Sequence, residues 1–170
     1  MTKPMLVSYG SKYGATEQIA HRIGQVLGEA GLHVDVRSAA EVEDLGPYRA
    51  VVIGSAVYAG QWRKEAAAFV RRHQEELRAL PVWVFSSGPL GKGDPVALLR
   101  GWRMPRSLTP VMQRIAPRDV AVFHGALDVA KLNWFERTLL RMMKATSGDF
   151  RDWNQIESWA RQIAAALEGQ

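Results

Sequence analysis

Apolar residues in this chain fall into short runs separated by longer stretches of helical periodicity. Met5–Tyr9 is a compact apolar run ending at Gly10, which predicts a buried strand. Beyond it, Ile19, Ile23, Val26, Leu27 and Ala30 recur on one helical face, predicting a helix over Ala15–Ala30 that Gly31 stops. His33–Val36 alternates as a second strand, and Glu41–Leu45 predicts a short helix before Gly46-Pro47. Ala50–Gly54 is a β-branched run that predicts a third, buried strand. Arg63–Leu80 predicts one amphipathic helix, with Ala66, Phe69, Val70 and Leu77 inward and a basic outer side, ended by Pro81. Val82–Phe85 follows as a fourth strand. Gly88–Pro110 is rich in Gly and Pro and predicts a long loop with at most a short helix; Leu108–Ile115 predicts a helix up to Pro117. Asp119–Ala126 is a fifth strand. Trp134–Ala145 and Asn154–Leu167 are helical, separated by Ser147–Asp152.

Strands alternating with helices imply right-handed crossovers and a parallel sheet covered on both faces. Five strands suit the doubly wound order 2-1-3-4-5. A length of 170 residues fits one domain over 1–170, with no repeat or linker to divide it. The Gly88–Pro110 loop is longer than a plain connection needs, so it is a candidate binding loop.

Composition narrows the chemistry. Cysteine is absent, which excludes disulfides, thiol catalysis and thiolate metal sites. His21, His33, His73 and His124 are scattered without metal-ligand spacing, so no metal is expected. No apolar stretch approaches the ~20 residues of a membrane span, and no signal peptide is recognisable. A cytoplasmic protein is expected, with peripheral contact at the inner face of the membrane as one option. The net charge of +5 points to acidic partners or simply to solubility. Nucleic acid is not expected as a partner, because the basic residues are dispersed and no recognition motif appears.

Three strand ends carry the candidate site. After strand one comes Ser11-Lys12-Tyr13-Gly14-Ala15-Thr16, then the helix. Such a turn aims backbone N–H groups at one point, and the helix N-terminus adds partial positive charge. Ser11 and Thr16 add hydroxyls, and Gly14 lets the backbone approach an anion. Taken locally, the segment reads equally as a phosphate loop or as a turn in which Ser11 or Thr16 caps the helix. After strand three come Ser55, Ala56, Val57 and Tyr58; after strand four come Ser86, Ser87, Gly88, Pro89, Leu90 and Gly91. In the expected strand order these loops converge on one edge, where ligands of open α/β sheets bind. Tyr58 is the candidate wall for a flat ring, whereas Trp62 reads as a packing residue at a helix start.

These segments resemble the flavodoxin-like FMN-binding family. Ser11–Thr16 is similar to its phosphate loop, and the VVIGS-x-V-Y-x-G stretch from Val51 to Gly60 to its second loop. The resemblance implies a three-layer sandwich, FMN as cofactor and these three loops as its binding residues. A narrower similarity is to the menaquinone-dependent protoporphyrinogen dehydrogenase branch. It rests on the second loop, on FHGAL at Phe123–Leu127, on Asn133–Arg137 leading to Met142-Met143-Lys144, on Ser147-Gly148 and on Asp152-Trp153-Asn154. That similarity implies transfer of reducing equivalents from a porphyrinogen through FMN to a quinone, in heme biosynthesis. Two departures stand beside it. The chain is basic where flavodoxins are usually acidic, and Ser86–Asp94 lacks an aromatic cover for the flavin, leaving Trp102 as the candidate.

The alternative is a basic electron-transfer protein with a redox partner protein and no substrate of its own. The three loops hold one carboxylate, Asp94, and two lysines, Lys12 and Lys92. That balance favours two-electron chemistry if the lysines face the flavin, and tunes nothing if they face solvent. Tyr58, His73 and His124 are candidate proton donors, although His124, in a predicted strand, reads as a core residue. Lys131–Lys144 interleaves cations with Trp134, Phe135, Leu139, Leu140, Met142 and Met143. Leu132, Phe135, Leu139 and Met142/Met143 form one stripe, with Trp134 and Leu140 off it. The segment reads as a core-facing helix or as a surface for anionic lipid, quinone or a porphyrin's propionates.

Overall fold

The computed structural model of the chain describes residues 2–143 and 147–169. Strands β1 (Met5–Gly10), β2 (Val34–Ser38), β3 (Val51–Tyr58), β5 (Val82–Ser87) and β6 (Asp119–Phe123) form a parallel sheet in the order β2-β1-β3-β5-β6. This is the doubly wound order expected from the sequence. β4 (Gln61–Trp62) folds back antiparallel on β3.

Alternation along the strands divides the apolar residues into two layers. Met5, Val7, Val52, Trp83 and Phe85 face helices α1 (Ala15–Glu29) and α7 (Trp153–Glu168). Leu6, Val51, Ile53, Val82 and Val84 face α2 (Lys64–Arg72), α3 (Gln74–Arg78) and α5 (Thr109–Ile115). A strand buried on both faces must read as a continuous apolar run, which is why β1, β3 and β5 were visible. In the first layer Phe85, Phe123 and Trp159 pack edge-on and tilted, with centroids 5.5–6.0 Å apart. The Trp159 indole N–H donates to Asp119 at 2.7 Å.

Several boundaries differ from expectation for local reasons. β3 does not end at Gly54, because Ser55 and Ala56 pair with β5 and Val57 and Tyr58 pair with β4. β5 likewise continues through Ser86 and Ser87, which pair with β6. The predicted helix Arg63–Leu80 breaks at His73, whose buried ring lies 5.0 Å from Phe69 and 2.7 Å from Glu76. In place of a helix over Glu41–Leu45 there is a 3₁₀ turn at Ala39–Glu41, begun by Ser38, after which Val42 and Leu45 turn into the core. The Gly88–Pro110 segment holds α4 (Pro95–Leu98), started by the Asp94 carboxylate accepting from the Ala97 N–H. The fifth strand stops at Phe123. His124 bonds the carbonyls of Pro89 and Gly93, and the chain then forms β7 (Ala126–Leu127), paired with β8 (Gly148–Asp149) in a separate ribbon. Helix α6 (Trp134–Met143) follows β7; Lys144 and Ala145, predicted to continue it, lie outside the described residues. α7 begins one residue early, capped by Asp152.

Candidate functional site

The turn after β1 is built around Gly14, the N-cap of α1, at φ +94°. Only glycine adopts that conformation without a Cβ penalty. Its N–H donates to Ser11 Oγ at 3.1 Å, closing the loop. Ser11 thus shapes the loop rather than capping the helix, and no side chain among the described residues caps the amides that open this 15-residue helix, an arrangement that suits an anion. Thr16 is 2% exposed, with Oγ1 3.4 Å from Ser87 Oγ. The first and third loops therefore touch.

A cleft of about 320 Å³ opens above this contact. Lys12, Tyr13, Ala15 and Thr16 from the first loop line it, with Ala56, Val57 and Tyr58 from the second and Ser87, Gly88 and Leu90 from the third. Tyr13 and Tyr58 meet edge to face, with centroids 6.4 Å apart. Tyr58 is 41% exposed, and partial burial raises its pKa, so its hydroxyl stays protonated at neutral pH. The other expected residues hold the walls. Ser55 Oγ accepts the Arg63 N–H and donates to the Ala56 carbonyl, both at 2.9 Å. Ser86 Oγ accepts from the Trp62 indole at 2.9 Å and donates to the Arg103 carbonyl at 2.8 Å. Trp62 is thus a packing residue. Pro89 accepts the Gly125 N–H through its carbonyl, and neither Pro89 nor Gly91 lines the cleft. Trp102 does not cover it either.

Two segments singled out in the sequence, but not expected among the cofactor-binding residues, also line the cleft. The β7 turn supplies Gly125, Ala126 and Leu127, and α6 supplies Glu136, Leu139 and Leu140. The stripe expected on α6 is corrected: Leu140 faces the cleft, while Phe135, Met142 and Met143 are well exposed. α6 buries no residue, so the core-facing reading of this helix is overturned. It is held by a polar latch. The Lys12 ammonium donates to Glu136 Oε1 at 2.6 Å, the Tyr13 hydroxyl donates to the same oxygen, and the Lys131 ammonium donates to the Tyr13 carbonyl at 3.3 Å. Asn133 and Glu136 cap each other's N–H groups at 2.8 and 3.1 Å, a capping box that the Asn133-x-x-Glu136 spacing encodes. Glu136 also corrects the charge balance. Lys12 is paired, Lys92 does not line the cleft, and the two-electron preference loses its basis.

The hydrogen bonds from Lys12, Tyr13 and the Asn133 N–H lower the Glu136 pKa from 4.5 to about 2. A depressed folded-state pKa means the latch contributes fully above pH 4.5 and is lost as the pH falls toward 2. NMR shifts of the α6 amides should therefore hold from neutral pH through 4.5 and change near 2, and Lys12→Ala should move that midpoint back up. A wild-type transition centred at 4.5 would show that the latch does not form in solution.

The histidines stand apart from this site. His124 clamps the third loop through Pro89 and Gly93, and His73 packs beneath α2. Among the described residues no group of three or more His, Asp or Glu is placed to hold a metal. No helix among them is long and apolar enough to cross a membrane.

The family model for the flavodoxin domain matches residues 6–154. The chain belongs to the flavodoxin domain family. Protoporphyrinogen IX dehydrogenase (quinone) of Escherichia coli K12 is 26% identical, over 94% of this chain and 93% of that protein. The protein of the same name from Leishmania major is 27% identical, over 94% of this chain and 74% of its own length. Among solved structures, a cysteine-to-alanine mutant of flavodoxin from Pseudomonas aeruginosa matches with a TM-score of 0.57 and 20% identity, covering 97% of this chain and 99% of that one. Rubredoxin oxygen:oxidoreductase of Desulfovibrio gigas matches with a TM-score of 0.63 and 15% identity. It covers 98% of this chain, which spans only 37% of that longer one. Membership of the flavodoxin domain family indicates FMN as the cofactor. The site fits it: an uncapped helix start for a phosphate, and an apolar cleft beside Tyr58 for a flat ring.

Proposed function

We propose that the protein is an FMN-dependent oxidoreductase that takes reducing equivalents from a porphyrinogen and delivers them to a quinone. Ser11–Thr16 holds the phosphate, and Ala56–Tyr58 with Ser87–Leu90 flanks the ring. Bound FMN supplies the redox step. The chain binds, orients and excludes water; the Lys12–Glu136 pair that lines the cleft holds α6 in place.

The observation that carries this reading is the cleft's roof. α6 turns Leu139 and Leu140 toward the site and exposes Trp134 (79%), Phe135 (68%) and Met142 (77%) on its outer side. An exposed apolar face of this kind marks a docking or membrane surface, and beside an apolar cleft it suits the approach of apolar reactants. The similarity to the E. coli dehydrogenase over nearly the whole of both chains supports the substrate pair. The exposed face, with the cations Lys131, Arg137 and Arg141 on or beside α6, suits contact with an anionic lipid surface where a quinone resides. Lys144, also part of the expected surface, lies outside the described residues.

The test is an anaerobic assay of the flavin-loaded protein with protoporphyrinogen IX and a quinone held in anionic vesicles. Porphyrin formation with quinol production supports the proposal. A flavin that a reductase reduces, but that no porphyrinogen reduces, marks an electron carrier instead. Removing Trp134 and Arg141 together should lower turnover with vesicle-held quinone severalfold and spare turnover with a water-soluble one. Equal turnover on vesicles would reject the lipid contact alone.

A further inference from the structure

Tyr58 is a partition as well as a wall. On its far side lies a second hollow of about 430 Å³, between the start of α2 and the Pro105–Leu108 segment. Its charged lining is Arg63, Lys64 and Arg71, with no carboxylate. Lys64, Ala67 and Arg71 lie three and seven residues apart on one stripe of α2. Ala67 is too short to fill the space between the two cations, so the hollow has a floor and a basic rim. Arg63 reaches over Tyr58, with its guanidinium carbon 5.9 Å from the ring centroid, and its Nε lies 3.3 Å from Glu65. Among the described residues Lys64 and Arg71 form no ion pair or hydrogen bond. The neighbouring cations differ. Arg72 donates to the Val42 carbonyl, Arg103 to the Val120 carbonyl and Arg114 to Glu75.

The cleft has another flank, where Tyr13, Lys131 and Arg151 border a hollow of similar size. That side is balanced. Asp128 and Asp149 line it too, and Arg151 is held by Asp149 at 2.7 Å and by Gln18 at 2.7 Å. Of the two hollows that flank the apolar cleft, the one across Tyr58 is lined by cations and by no carboxylate. The arrangement asks for a ligand with an apolar ring system and anionic groups gathered at one edge. A porphyrinogen carrying propionate arms has that distribution.

We propose that Arg63, Lys64 and Arg71 form a carboxylate subsite that receives the propionate arms of a substrate whose ring stands at the mouth of the flavin cleft, on the Tyr58 side. This rests on the proposed function and adds to it an orientation: the propionate edge points toward α2, away from α6. Guanidinium–carboxylate pairing suits Arg63 and Arg71, and Lys64 adds a point charge. The same groups favour a porphyrinogen with free carboxylates at one edge over one whose carboxylates are esterified or spread around the ring.

The experiment uses flavin-loaded protein and the Lys64→Gln/Arg71→Gln double variant. Both side chains are exposed and make no internal bond, so the fold does not depend on them. Binding of deuteroporphyrin IX and of its dimethyl ester is followed by fluorescence titration, with flavin content as the control. The variant should bind the diacid about tenfold more weakly relative to the diester, which corresponds to about 1.4 kcal/mol. The salt dependence of diacid binding should also flatten. An unchanged diacid-to-diester ratio, or equal loss of both ligands, would overturn the subsite. If the wild type oxidises protoporphyrinogen IX and the variant's KM for it is unaltered, the subsite fails and the proposed function stands. If the wild type neither binds the diacid nor oxidises the porphyrinogen, the proposed function fails, and the subsite with it.

Discussion

Gly54→Ala should lower the thermal midpoint of this protein by roughly 6–12 °C, through a loss of about 3 kcal/mol. Gly54 pairs with Phe85 across β3 and β5, and the outer end of the Phe85 ring occupies the space where a Cβ would stand. A Cβ there would sit 1.9 Å from Cζ and 2.1 Å from Cε1 of that ring. The ring has nowhere to go. Phe85 is fully buried, with Phe123 at 5.6 Å and Trp159 at 6.0 Å. One methyl group must therefore displace three aromatic rings or separate two central strands. The check is a calorimetric melt of Gly54→Ala beside Gly54→Ala/Phe85→Leu. The second change removes the clashing ring atoms, so the two substitutions together should cost less than the sum of each alone. Simple additivity would show that the clash is relieved elsewhere.

Thr16→Leu should yield protein that no longer retains FMN, with an affinity loss of at least about a hundredfold. Thr16 is in the first turn of α1, buried against Ser87 where the first and third loops meet. Leucine removes a hydroxyl that can bond a phosphate and puts a branched apolar chain where that anion would sit. The helix itself tolerates leucine well, so the fold should persist while the flavin is lost. Thr16→Ser keeps the hydroxyl and should keep the cofactor. The measurement is visible flavin absorbance per protein after gel filtration, with circular dichroism reporting the fold. Full retention in Thr16→Leu would remove this loop from the cofactor site.

What was legible in the sequence follows from what repeats locally. The parallel sheet announces itself because strands buried on both faces must be continuously apolar, so Met5–Tyr9, Ala50–Gly54 and Val82–Phe85 stand out. The three loops were legible because each follows such a run, and the strand order then brings them together. Strand ends were not. Ser55, Ser86 and Ser87 look like loop residues, yet they pair in the ladder because their side chains find partners across the sheet or against each other. The roof of the cleft was hidden for a different reason. Helical periodicity identifies an apolar stripe but not what it faces, and α6 turns the greater part of its apolar surface outward. Glu136 lies 124 residues from Lys12, and nothing in the intervening pattern announces that contact.

The manner in which α6 is attached has a consequence for how such a protein can diversify. None of its side chains belongs to either apolar layer of the sheet. Exchanging its outward residues therefore alters the character of that face at little cost to folding, since exposed substitutions rarely exceed about 0.5 kcal/mol. The Ser11–Thr16 loop enjoys no such freedom, being tied to α1 and β5. A lineage can thus rewrite one outer face on a single helix while the loops at the strand ends stay as they were.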